Sequence, residues 1–189
     1  MKLRTLLLGV GVALWLVTAH AVEPQVYFSR TDPVAKVLAR EIDAAQKSIH
    51  LLVYSLTDDD LAAALIRAGQ RGVDVRIVID RTQAAGKSSL DERLLEKLGP
   101  QRVLYRTGKG RGVMHEKMAI YDGLTVSLGS YNWTANARDN NWENLILLRD
   151  AAIAARCTAE FQRVWNSPAP KESKPKAKVG AVAPNGPGG

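Results

Sequence analysis

Cysteine is nearly absent from this 189-residue chain: Cys157 stands alone, which excludes an intramolecular disulfide framework in any compartment. Apolar runs are short as well. The longest, Leu6 to Val17, falls below the roughly 20 residues needed to cross a bilayer. Lys2 and Arg4 precede it and Ala19-His20-Ala21 follows, the arrangement of a secretory leader with a small-x-small cleavage site after Ala21. No aromatic residue occurs between Ser167 and Gly189, so that Pro-, Lys- and Gly-rich stretch cannot bury enough surface to order itself and is expected to be a disordered tail. The net charge of +7 is also smaller than it looks. The leader accounts for +2 and the tail for +3, leaving about +2 on residues 22–166, which excludes the strong basic field of a packaging protein.

What remains, Val22 to Asn166, is one domain with room for a core. Gln25 to Ser29 reads as a strand, and Thr31-Asp32-Pro33 as the cap and first-turn proline of a helix through Ala45. Ser48 to Leu56 is β-rich, Asp58 to Gly72 helical, and Val73, Val75, Ile77 and Ile79 alternate as in a strand. Ser89 with Glu92 predicts a capping box for a helix ending near Gly99. Strands are predicted over 103–106, 117–121, 125–128 and 144–148, and a closing helix over 151–165, where Ile153, Cys157 and Phe161 share one stripe expected to be buried. Strands and helices alternate first, and strands dominate later. The fold class is therefore α/β, a mixed β-sheet flanked by helices.

Histidine is scarce, so each of the three can be weighed. His20 leaves with the leader, and His50 lies among apolar neighbours and reads as structural. His115 differs: Lys117 follows two positions on, then Asp122, Gly129, Ser130, Asn132 and Glu143. Strand alternation points His115 and Lys117 the same way. A neighbouring ammonium favours the neutral, nucleophilic imidazole unless a carboxylate offsets it. Glu143 is the candidate for that carboxylate, accepting a hydrogen bond from one ring nitrogen so that the other can attack. Lys117, Ser130 and Asn132 offer a charge, a hydroxyl and an amide to non-bridging phosphate oxygens, donors that can replace a metal ion. Asp122, grouped with the catalytic set, faces away from His115 on a regular strand and is expected to fix a turn.

His115-x-Lys117-x4-Asp122, Gly129-Ser130-x-Asn132 and Glu143-Asn144 resemble the motifs of the phospholipase D superfamily. The single motif, the Val26-Tyr27-Phe28-Ser29 start and the leader are most similar to its small bacterial endonuclease branch, over nearly all of residues 22–166. That resemblance implies attack by histidine on phosphorus, a covalent phosphohistidine, hydrolysis by water, and a second histidine that protonates the leaving oxygen. In-line displacement puts nucleophile and acid on opposite sides of phosphorus, so one His115 cannot serve both. One motif per chain then implies a homodimer with a shared site. The expected function is metal-independent, largely non-specific hydrolysis of DNA or RNA without a cofactor, in the periplasm or outside the cell and without a membrane anchor once the leader is removed. Lipid phosphodiester hydrolysis and non-catalytic nucleic-acid binding are the alternatives.

Two further segments are candidate substrate contacts. The loop Thr107-Gly108-Lys109-Gly110-Arg111-Gly112 could let a phosphate backbone approach Lys109 and Arg111, or be an ordinary solvated connection. Of Tyr131, Trp133 and Trp142, at most one is expected to stack on a base, with Trp133 the choice. Gly86-Lys87-Ser88 mimics the end of a phosphate-binding loop, but Arg81 occupies the position of the first glycine, so no such loop is expected.

Overall fold

Alternating apolar residues and amphipathic helices set the order of elements. These are β1 (Gln25–Phe28), α1 (Val34–Ala44), β2 (Ser48–Val53), α2 (Asp59–Gln70), β3 (Asp74–Asp80), α3 (Arg81–Ala84), α4 (Asp91–Leu98), β4 (Val103–Arg106), β5 (Lys117–Tyr121), β6 (Thr125–Gly129), α5 (Ala135–Asp139), β7 (Asn144–Arg149) and α6 (Ala151–Trp165). The structure, a computed structural model, describes residues 23–86 and 88–169. The expected leader and residues 170–189 of the expected tail lie outside the described residues.

The seven strands form one mixed sheet in the order β1-β7-β6-β5-β2-β3-β4. β2, β3 and β4 run parallel, joined by helical crossovers, while β5, β6, β7 and β1 pair antiparallel. The halves meet where β2 lies antiparallel to β5, with Val53 opposite Lys117. Period-two alternation sends Ile49, Leu51 and Val53 of β2 to one face, against Leu38 and Ile42 of α1 and Leu61 and Leu65 of α2. Leu52, Val78, Met118 and Ile120 face the other way, where Phe161 and Val164 of α6 cover them. Phe161 is fully buried, worth about 1.5–3 kcal/mol for such a side chain. The sheet therefore has helices on both faces, as the sequence predicts. Among the described residues, no helix is long and apolar enough to cross a membrane.

Local details depart from the sequence reading. Pro33 is the N-cap of α1 rather than its first residue, with no side-chain cap, because the Asp32 carboxylate turns back to accept the Phe28 N–H. Ser89 does not cap α4, whose N-cap is Leu90. The short α3 and α5 were not expected, although Asp80 and Thr134 cap them. On α6, Ile153 is exposed and Cys157 only half-buried, since Ala154, Phe161 and Val164 turn toward the sheet. Burial still pushes the Cys157 thiol up, with the Glu116 charge adding and Arg156 opposing. His50 stacks on Phe161 at 4.6 Å and keeps its structural place.

Candidate active site

The end of β2, the start of β5, the end of β6 and the start of β7 converge at one end of the sheet. There His115, Lys117, Gly129, Ser130, Asn132 and Glu143 line an open cavity of about 360 Å³. Five of the residues expected from sequence, His115, Lys117, Ser130, Asn132 and Glu143, are thus brought together.

Strand phase aligns the first two, as expected. The Lys117 ammonium lies 3.1 Å from His115 Nδ1 and 3.3 Å from Nε2, and donates to the His115 carbonyl at 2.8 Å. His115 itself is exposed while Lys117 is nearly buried. Burial holds Lys117 below the ordinary lysine range, and the Glu143 carboxylate works in the opposite direction. Tyr54, just after β2, packs its ring 4.5 Å from the imidazole and 5.1 Å from the ammonium. The sequence reading missed this tyrosine, since only the β2–β5 register brings it to the histidine.

Glu143 requires a correction. Its carboxylate does not accept from His115 within one chain; it accepts from Ser130 Oγ at 2.5 Å and from Asn141 Nδ2 at 3.0 Å. Its backbone is pinned by Ser29, whose hydroxyl accepts the Glu143 N–H at 2.9 Å and whose N–H donates to the Glu143 carbonyl. The residue thus orients the Ser130 hydroxyl, which also accepts the Asn144 N–H. Gly129 makes this possible, because a Cβ there would run into the Asn144 carbonyl. That carbonyl accepts the N–H groups of Ser130 and Tyr131. Asn132 Oδ1 is buried without a hydrogen-bond partner, so any bond from this side chain to a ligand oxygen in the cavity must come from its amide N–H groups.

Asp122 lies at the other end of β5, about 17 Å from Lys117 at ~3.3 Å per residue, so it does not belong with the catalytic set. Its carboxylate accepts the N–H groups of Gln46, Lys47 and Ser48 while its own backbone adopts a positive φ of 55°. Burial works against the charge, but those three bonds and the Lys47 ammonium hold the carboxyl below its ordinary range. Asp122 fixes a turn, as strand phase implied.

The aromatic assignment is reversed. Trp133 is 1 % exposed and Tyr131 equally buried, because Trp133 bridges Leu56 and its carbonyl accepts Thr57 and Asp58 N–H. Trp133 therefore cannot stack on a ligand. Trp142, beside Glu143, is 86 % exposed and with Phe28 lines a neighbouring cleft that shares Glu143 with the site. The glycine loop lines a wider cavity of about 790 Å³, where Arg81, Lys109 and Arg111 are the charged residues and no acidic side chain occurs among the lining residues. Among the described residues, no three His, Cys, Asp or Glu side chains group as a metal site would.

Residues 38–165 match the family model described as cardiolipin synthase, PLD-like domain. The mitochondrial cardiolipin hydrolase of Xenopus laevis is 34 % identical over 138 residues, 71 % of this chain and 62 % of that protein. The chain spans about three fifths of the length of the curated relatives it matches. Among solved structures, a phospholipase D family member, Nuc from Salmonella typhimurium, is 32 % identical with a TM-score of 0.67, covering 76 % of this chain and 94 % of that one. NucT from Helicobacter pylori is 28 % identical with a TM-score of 0.68, covering 75 % and 94 %.

Proposed function

This chain belongs to the phospholipase D-like family, and from that premise we propose that it is a phosphodiesterase cleaving nucleic acids without a metal ion. The observation that carries the reading is the contact of the His115 imidazole with the Lys117 ammonium at the mouth of a cavity also lined by Ser130 and Asn132. His115 attacks phosphorus and the P–O bond to the leaving oxygen breaks, giving a phosphohistidine; water then attacks phosphorus and frees the histidine. Lys117, Ser130 and Asn132 stabilise the non-bridging oxygens. Glu143 holds the Ser130 hydroxyl and counters the burial of Lys117.

The proton for the leaving oxygen comes from a second His115, so the active unit is a homodimer. Arg81, Lys109 and Arg111 around the glycine-loop cavity are placed to hold the phosphate backbone away from the scissile bond, an electrostatic, sequence-independent contribution. The leader places the enzyme in the periplasm or outside the cell, and N-terminal sequencing of exported protein is expected to begin at Val22.

The similarity to a cardiolipin hydrolase favours lipid phosphodiesters as the second reading. The test offers single-stranded DNA, plasmid, RNA and cardiolipin vesicles to the wild type and His115→Ala in excess EDTA. Cleavage of nucleic acid by the wild type, lost at least ~10³-fold in the variant, is expected. Cleavage surviving the substitution would overturn the nucleophile, and turnover of vesicles alone would replace the substrate. An active species sedimenting as a monomer would overturn the shared site.

A further inference from the structure

His115 sits in a connection, residues 107–116, that has no regular secondary structure, yet in-line attack demands that its imidazole be placed to a fraction of an ångström. Glycines 108, 110 and 112 give this connection freedom, and the turn bonds inside it, from Gly108 N to Gly112 O and from Gly112 N to Lys109 O, are local. Two longer-range bonds bracket the histidine. After it, the Glu116 carbonyl accepts the Tyr54 N–H at 2.9 Å. Before it, the Met114 N–H donates at 2.8 Å to Asp80 Oδ2.

Asp80 is the last residue of β3 and 0 % exposed. Alternation puts it on the face of Val78, where the Met114 side chain packs. Both carboxylate oxygens are engaged: Oδ1 accepts Thr82 N–H at 2.9 Å and Thr82 Oγ1 at 2.5 Å, leaving Oδ2 to Met114. A helix of four residues does not need a wholly buried carboxylate to cap it, since an exposed Ser, Thr or Asn would do. The second oxygen, reaching a residue 34 positions away, is what the cap leaves unexplained. A buried carboxylate is costly unless it is well bonded, and charge-assisted bonds to N–H groups are the strong kind.

We propose that Asp80 is a positioning residue for the nucleophile, its Oδ2 fixing the backbone one residue before His115 so that the flexible connection delivers the imidazole in one place. This rests on His115 being the nucleophile. The Asp80–Met114 bond acts on the step in which histidine meets phosphorus and not on the holding of substrate.

Two changes to the full chain isolate the bond. Asp80→Ala removes it together with the cap, and an amide-to-ester replacement at Met114 removes only the N–H while leaving Asp80 in place. Thr82→Val, which keeps the Met114 bond, is the control. With bis(4-nitrophenyl) phosphate as probe, the ester and Asp80→Ala proteins are expected to lose about 10- to 100-fold in kcat with KM within about threefold. Thr82→Val is expected to stay within about twofold. Should Asp80→Ala fail to melt cooperatively, the ester protein decides alone. An ester protein with kcat within twofold of wild type, while wild-type turnover remains His115-dependent, would overturn the proposal. Loss of that dependence in the wild type would overturn the nucleophile instead.

Discussion

The two ends of β5 carry polar residues of similar kind but opposite economy. At the Asp122 end, one carboxylate receives three backbone N–H groups and nothing is left over for a ligand. At the His115 end, an imidazole stands exposed at an open cavity with a nearly buried lysine against it. Polar groups that satisfy one another hold a fold together, whereas polar groups held in place beside an open cavity are those a substrate can meet. The difference separates a motif residue that fixes a turn from motif residues that face an open cavity.

The sharpest way to break this comparison is at Lys117. Lys117→Gln is expected to cost about 10²- to 10³-fold in kcat, the range for losing one preorganised charge-stabilising donor, with cooperative melting retained. Trp133→Ala is expected to cost about 3–5 kcal/mol in urea unfolding, as for a large buried aromatic. Asp122→Asn should cost roughly 1–3 kcal/mol through its backbone bonds yet leave kcat per folded molecule within about twofold. Its pH signature has a definite sign. The folded carboxyl lies below its ordinary value, so its contribution is complete above the unfolded value of about 3.9 and disappears as pH falls through the folded one. The variant should therefore lose less stability than wild type over that acid window.

Glu143→Gln sharpens the comparison from the other side. With the carboxylate gone, burial of Lys117 is unopposed, its ammonium deprotonates at lower pH, and the basic limb of the kcat profile is expected to move down. The smallest effect is expected at Trp142→Ala: roughly fivefold in KM for single-stranded DNA, the low end of base stacking, with unchanged stability. Equal losses of stability at Trp133 and Trp142 would erase the contrast between them.

The sheet, its helices on both faces and five of the six cavity residues were legible because strand alternation and motif spacing are local signals. The sixth, Gly129, was legible as part of the motif, though its close approach to Asn144 was not. Tyr54, Ser29 and Asp80 were illegible, since each reaches the site through strand register or a contact tens of residues away, while Asn141, two positions from Glu143, stands outside the motif spacing. Glu143 was misassigned because its carboxylate is claimed by nearer donors, Ser130 and Asn141, and Trp133 was exchanged for Trp142 because the Leu56 bridge that buries Trp133 spans distant parts of the chain. The caps at Pro33 and Ser89 failed differently: the expected residue type is present, but its side chain answers another neighbour or none.

The pairing of β2 with β5 has a further consequence for how the molecule comes into being. Val53 meets Lys117 only after about sixty intervening residues have been made, and such distant closures are slow to reward the chain entropy they cost. As synthesis proceeds, the parallel half emerges with one side of β2 bare, an unpaired template open to wrong partners. The strand that ends this exposure is the one that brings His115 to Tyr54. The strand that covers the open side of β2 is thus the one that carries the histidine, β6 and β7 completing the site only afterwards, and nascent chains halted before β5 should be both inert and prone to association.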